Sequence, residues 1–215
     1  MLKTHRTTFI ILTFCLLSGI TYAQGSKETA VTGAQKTALT EAVSKAHQQL
    51  KTLSANFTQE KKSALFTEAV VQKGSFWYKA PKQLRWEYKS PKALTLLFDD
   101  KKVTLLTEKG PIDNPNRMLN ELGKMIINTI NGNNMSDNEN FDISFLKNSN
   151  GKYIVLLNPV NKKIKANYNS IRIILNAQDY LAEEVIMNEN NGDVTTIIFS
   201  NKKVNQPISA DKFSK

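Results

Sequence analysis

The sequence predicts an α+β domain: a single large antiparallel sheet curled into an open half-barrel, with its concave face covered by two or three helices. Three observations lead there. From Ser54 onward apolar and polar residues alternate with a period of two in about ten short stretches separated by turn residues. Two other stretches repeat their apolar residues at helical spacing instead. A sheet of that many strands does not stay flat, and helices laid on its inner side bury what the curl leaves open.

The chain opens on the basic residues MLKTHR, an apolar run over 9–20 and the small-residue sequence Thr21, Tyr22, Ala23. This is the pattern of a cleavable secretory signal peptide over 1–23. The apolar run falls short of the roughly 20 residues of a spanning helix. Cys15, the one cysteine, lies within it, so the exported form is expected to have no disulfide, thiol chemistry or cysteine metal site. The segment 24–36 is small and polar and is expected to be a flexible lead-in, leaving 37–215 as one domain.

Leu39, Ala42, Val43, Ala46, Leu50 and Leu53 then set one apolar stripe on a helix expected over 36–51. Alternation begins at Ala55, Phe57 and Gln59, and strands are expected at 65–71, 74–79, 83–89, 93–98 and 103–107. Pro81 and Pro91 bracket the strand of Trp86, and Asp99, Asp100 and Lys101 form a hairpin turn. Asp113 to Asn116 carry helix-start residues, and Met118, Leu119, Leu122, Met125, Ile126 and Ile130 make a second stripe that ends at Gly132. A polar loop fills 131–140. Strands follow at 141–146, 153–157, 170–175, 181–187 and 194–201, with Asn150-Gly151 and Asn191-Gly192 as turns.

No catalytic constellation assembles from these residues. His47 is the sole histidine beyond the signal peptide and reads as a surface residue of the first helix; the sequence contains no nucleophile elbow, P-loop or dinucleotide fingerprint. The expectation is a protein without catalytic residues, metal or cofactor. The formal net charge of +10, or +8 once Lys3 and Arg6 leave with the signal peptide, suits nucleic acid, an anionic membrane or an acidic partner. Export argues against nucleic acid, and lysine pairs such as Lys61-Lys62 and Lys202-Lys203 read as solvated strand ends.

The binding signal is stronger. Phe76 and Tyr78 on one strand, Leu84, Trp86 and Tyr88 on the next, and Leu96 and Phe98 on a third fall on one face as a continuous apolar band. Trp77 points the other way. Such a band is either a filled core or the wall of a cavity, and periodicity does not separate the two. The helix of Met118, Leu122, Met125 and Ile126 is either an ordinary packed helix or an adaptable methionine-bearing lid over the band.

The FxQ element of Phe57 and Gln59, the strand-opening Gly74, and the run Pro81, Leu84, Arg85, Trp86, Glu87, Tyr88, Pro91 occur in an order that resembles the LolA family of periplasmic lipoprotein carriers. The resemblance implies that the band Phe76, Tyr78, Leu84, Trp86, Tyr88, Leu96 and Phe98 lines a cavity for acyl chains. It implies acylated lipoproteins as cargo, an inner-membrane lipoprotein-releasing ABC transporter as donor, an outer-membrane acceptor, and a periplasmic monomer. A LolA-like paralogue that binds another lipid or senses envelope lipid is the alternative. One position departs from the family: Ala80 stands where proteobacterial carriers have an arginine that latches the lid.

Overall fold

The computed structural model describes residues 27–99, 102–113, 126–127, 130–132 and 139–214. Its core is one sheet of twelve antiparallel strands in the order β1-β8-β9-β10-β11-β12-β2-β3-β4-β5-β6-β7. In chain order these are β1 (Glu28–Ala30), β2 (Thr52–Lys62), β3 (Val70–Lys79), β4 (Gln83–Ser90), β5 (Leu94–Phe98), β6 (Val103–Thr107), β7 (Gly110–Asp113), β8 (Phe141–Asn148), β9 (Tyr153–Pro159), β10 (Tyr168–Leu175), β11 (Ala182–Glu189) and β12 (Val194–Val204). The edges β1 and β7 do not pair with each other, so the sheet is open. Yet Phe76, Trp86 and Phe98 of one arm share a single hydrophobic cluster with Phe145, Val155 and Ile173 of the other. The two arms therefore close around one core.

Helix α1 (Gly33–Gln48) packs into this concavity along Leu39, Val43 and His47, spaced four apart on one face. Lys45 and His47 in its last turn lie where the helix dipole favours cations. A second, short helix α2 (Lys162–Lys165) sits between β9 and β10, capped by the Asn161 side chain, which accepts from the Lys163 amide at 3.0 Å. Among the described residues the helical cover over the concave face comes from α1 and from Ile126, Ile127 and Ile130. None of the helices among them is long and apolar enough to cross a membrane.

Several elements differ from expectation. The lead-in is ordered from Glu28: β1 pairs with β8, and Arg172 clamps Glu28 at 2.5 Å, a contact invisible to local periodicity. The strand expected at 65–71 is a loop over 63–69, and Val70 and Val71 instead begin the single long strand β3. The apolar pair Leu65 and Phe66 has no strand beside it to pair with. Strand β7 and helix α2 carry too little pattern to be read from sequence. The signal peptide, Asp100 and Lys101 of the hairpin turn, and most of the second helix, with Met118, Leu122 and Met125, lie outside the described residues.

The centre of the sheet is built on a missing side chain. Phe57 on β2 is the register partner of Gly74 on β3. A Cβ on Gly74 would come 2.4 Å from the Phe57 ring and 2.0 Å from the Glu87 carbonyl of β4. The Phe57 ring thus lies over the glycine and reaches Trp86, 4.3 Å between centroids, while Phe76 stacks on the same indole at 5.6 Å. Because the obstacle includes backbone, Gly74→Val is expected to cost about 1–3 kcal/mol or more. Urea unfolding should show a lower midpoint at unchanged slope; an unchanged midpoint would mean that β3 and β4 separate freely here.

Candidate functional site

Between the two arms lies a cavity of about 300 Å³, at the lower end of the range of small-molecule pockets. One wall is Phe76, Trp86, Tyr88, Leu96 and Phe98, five of the seven band residues expected from sequence. Tyr78 and Leu84 share that face and are buried, but they are not among the lining residues, whereas their register partners Leu53 and Phe98 are. In this structure the two belong to the packed core behind the wall. Of the expected lid residues, Ile126 lines the cavity, and Met118, Leu122 and Met125 are outside the described residues.

The opposite wall was not singled out from sequence. It consists of Ile171, Ile173 and Leu175 of β10, Val185 and Met187 of β11, and Ile197 and Phe199 of β12. Each set is an i, i+2 repeat, so the signal was present in the alternation; what sequence lacks is the curl that brings β10 to β12 opposite β3 to β5. His47 was also misread. It is 7% exposed and lines the cavity, and the stripe Leu39, Val43, His47 shows why: the residue occupies the next buried turn of α1.

The cavity is apolar along its length and polar at its ends. At one end Lys61 Nζ meets Glu189 Oε1 at 2.9 Å and Asp193 Oδ2 at 3.1 Å, and the Thr195 hydroxyl donates to Glu189 at 3.1 Å. The Glu189 hydrogen bond holds the Lys61 ammonium above its usual range. Nearby, Tyr88 donates to Gln59 Oε1 at 3.0 Å, and Gln59 Nε2 donates to Gln72 Oε1 at 3.0 Å. Phe57 of the FxQ element thus shields Gly74, while Gln59 anchors the Tyr88 phenol and also lines the cavity. The buried Trp86 indole N–H is directed toward the Tyr88 phenol but forms no well-aligned hydrogen bond among the described residues.

At the other end His47 Nδ1 lies 2.5 Å from the Ile130 carbonyl, and its Nε2 lies 3.4 Å from the Tyr180 carbonyl. The Asn131 side chain donates to the Pro81 carbonyl at 3.0 Å and accepts from the Tyr78 hydroxyl. A Cβ on Gly132, whose φ is +72°, would lie 3.2 Å from His47. Residues 130–132 are therefore fastened both to α1 and to the turn after β3. Ala80 itself uses only its amide, which donates to the Lys51 carbonyl at 2.8 Å. Among the described residues no cluster of three or more histidine, cysteine or carboxylate side chains is placed to hold a metal.

An open antiparallel half-barrel around an apolar cavity is the class of protein that this fold and site define. The sequence profile of the outer membrane lipoprotein carrier protein LolA family matches residues 48–215, most of the chain, and the protein belongs to that family. No curated protein matches it in sequence. Solved structures share the architecture at low identity. A DUF1329 family protein from Desulfovibrio piger is 11% identical with a TM-score of 0.50, over 83% of this chain and 96% of its own. A chain of the Pseudomonas aeruginosa MucA/MucB complex is 9% identical with a TM-score of 0.51, over 85% of this chain and 61% of its own. A LolA superfamily protein from Nitrosomonas europaea is 10% identical with a TM-score of 0.47, over 87% and 98%. At such identities the likeness concerns the fold.

Burial pushes the Tyr78 phenol up from 10.0 to about 12. The unfolded chain would release that proton near pH 10 while the fold retains it, so this contribution to stability is complete below pH 10 and is lost as the pH rises toward 12. Urea midpoints should accordingly fall across that interval, and Tyr78→Phe should flatten part of the fall. Equal alkaline slopes in both proteins would show that the hydroxyl is not the responsible group.

Proposed function

We propose that this protein is a periplasmic carrier that shelters the acyl chains of lipoproteins in the cavity and moves them from the inner to the outer membrane without covalent chemistry. The observation that carries the reading is the apolar space between the β3–β5 and β10–β12 walls, in a chain of the LolA family. A resident core would fill that space with side chains. Here aromatic and branched aliphatic side chains surround it from both arms, and a methylene moved into it from water gains about 0.8 kcal/mol.

An inner-membrane lipoprotein-releasing ABC transporter would load the cavity and an outer-membrane acceptor would empty it, with the mature chain acting as a monomer after removal of its signal peptide. The absence of any assembled catalytic group from the sequence supports a non-enzymatic role. In place of the latching arginine at Ala80, the cover would be held by Asn131, bridging Tyr78 and Pro81, and by His47 on the Ile130 carbonyl. Hydrogen bonds of this kind contribute about 0.5–1.5 kcal/mol each, a latch weak enough to release.

Three measurements test this. Val185→Trp, which fills the cavity from the β11 wall, should weaken the binding of a fluorescent fatty acid by about tenfold, the equivalent of two lost methylenes, with little change in thermal midpoint; undiminished binding would place the ligand elsewhere. Photo-crosslinking in cells from Trp86 should capture triacylated lipoprotein, and capture of free lipid alone would turn the assignment to the lipid-binding paralogue. Asn131→Ala removes both of its bonds and should speed dye release in stopped flow by at least roughly two- to tenfold, the effect of losing one. An unaltered rate would remove Asn131 from the latch.

A further inference from the structure

The exposed apolar side chains are not scattered. Nine large hydrophobic residues are exposed among those described, and six of them, Leu65, Phe66, Val70, Val71, Leu94 and Val160, lie at the same end of the sheet. The register defines that end: Lys61 is opposite Val70, Lys62 opposite Val194, Tyr168 opposite Glu189, and Tyr88 opposite Leu94. Leu65 and Phe66, at the tip of the loop over 63–69, are the most exposed of all at 86% and 72%. Side chains of this size are costly to leave in water, and a cluster of them on one rim calls for a partner.

The rim is also continuous and basic. The Ala64 amide donates to Asp193 Oδ1 at 3.0 Å, which fixes the loop to the turn before β12. Asn190 of that turn donates from its side chain to the Lys165 carbonyl at 2.6 Å, which joins the turn to α2. Lys162, Lys163 and Lys165 are all exposed on α2, as are Lys73, Lys89 and Lys92 at the ends of β3 and β4. The loop itself contains one carboxylate, Glu68; Lys61 and Lys62 are taken up in ion pairs with Glu189, Asp193 and Glu60.

We infer that this rim docks on the surface of an anionic lipid bilayer, with Leu65 and Phe66 entering the interface and the surrounding lysines meeting acidic headgroups. Neither signal alone gives firm attachment; an apolar anchor and a polybasic patch reinforce each other, and a carrier that must leave again needs no more. The placement suits the cavity, whose polar end, with Lys61, Tyr168, Glu189 and Thr195, lies just inside the rim. The inference goes beyond the carrier reading and is tested without cargo.

The test is flotation of the mature protein with vesicles of phosphatidylethanolamine and phosphatidylglycerol, beside vesicles of phosphatidylcholine. Binding should favour the anionic vesicles, fall with added salt as headgroup attraction is screened, and drop about tenfold or more in Leu65→Glu/Phe66→Glu. Lys162→Glu/Lys163→Glu should weaken it in the same direction. An environment-sensitive dye on Phe66→Cys should shift to the blue on anionic vesicles, and the same dye on Lys203→Cys at the far end should not. Equal flotation of wild type and Leu65→Glu/Phe66→Glu, equal binding to phosphatidylcholine, or no shift at position 66 would overturn the inference and leave the rim to a protein partner. Leu65→Glu/Phe66→Glu should still take up the fluorescent fatty acid; loss of that uptake in the wild type would instead count against the carrier reading.

Discussion

The contact on which the rest of this structure depends is the one between Phe57 and Gly74. By omitting a side chain, Gly74 lets a phenylalanine from the neighbouring strand lie across it and reach the Trp86 indole two strands away. That places three consecutive strands, β2, β3 and β4, under a single aromatic group. Phe199 joins from β12 at 5.4 Å from Phe76, so the aromatic cluster spans the middle of the twelve-stranded order. Both arms extend from this point, and their approach to each other leaves the cavity between them.

A cavity is a cost to a fold. Every apolar wall without a neighbour forgoes dispersion contacts, and core voids destabilise in proportion to their size. The structure limits that cost by dividing its concave face. Tyr78, Leu84 and Val43 are packed nearly out of contact with solvent where α1 meets the sheet, while Trp86, Leu96 and Ile197 stand around open space. Some side chains of a strand carry packing and others stand on the cavity, so the two demands fall on different residues of the same strands. Leu84 and Trp86 are two positions apart on one strand, the first packed in the core and the second on the cavity.

Much of this was legible in the sequence, and the losses have identifiable causes. Apart from β7, the strands from β4 onward announce themselves by alternation and turn residues, and the band on β3 to β5 was read correctly as one face. What alternation does not carry is depth along the strand: it assigns Leu84 and Trp86 to the same side but not to core and cavity. The wall from β10 to β12 has equally clear repeats, but only the curl makes it a wall. Leu65 and Phe66 are an apolar pair that reads like the start of a strand and are solvent-exposed, because such a stretch becomes a strand only if a neighbouring one offers hydrogen bonds. His47 was missed because its neighbours in sequence are polar, although its spacing from Val43 placed it on the buried face.

The two tryptophans have a consequence of their own. Phe76 faces inward, so Trp77 faces outward, where Lys212 of the C-terminal turn lies 4.6 Å above its ring; Trp86, one strand over, stands in the cavity wall. The chain has no other indoles. Its native fluorescence is therefore the sum of two emitters on opposite faces of one sheet, one polarised by an ammonium group and one surrounded by aromatic rings. Anything that enters from the concave side alters the spectrum of the second and leaves the first as an internal standard, so occupancy can be followed in the unlabelled protein.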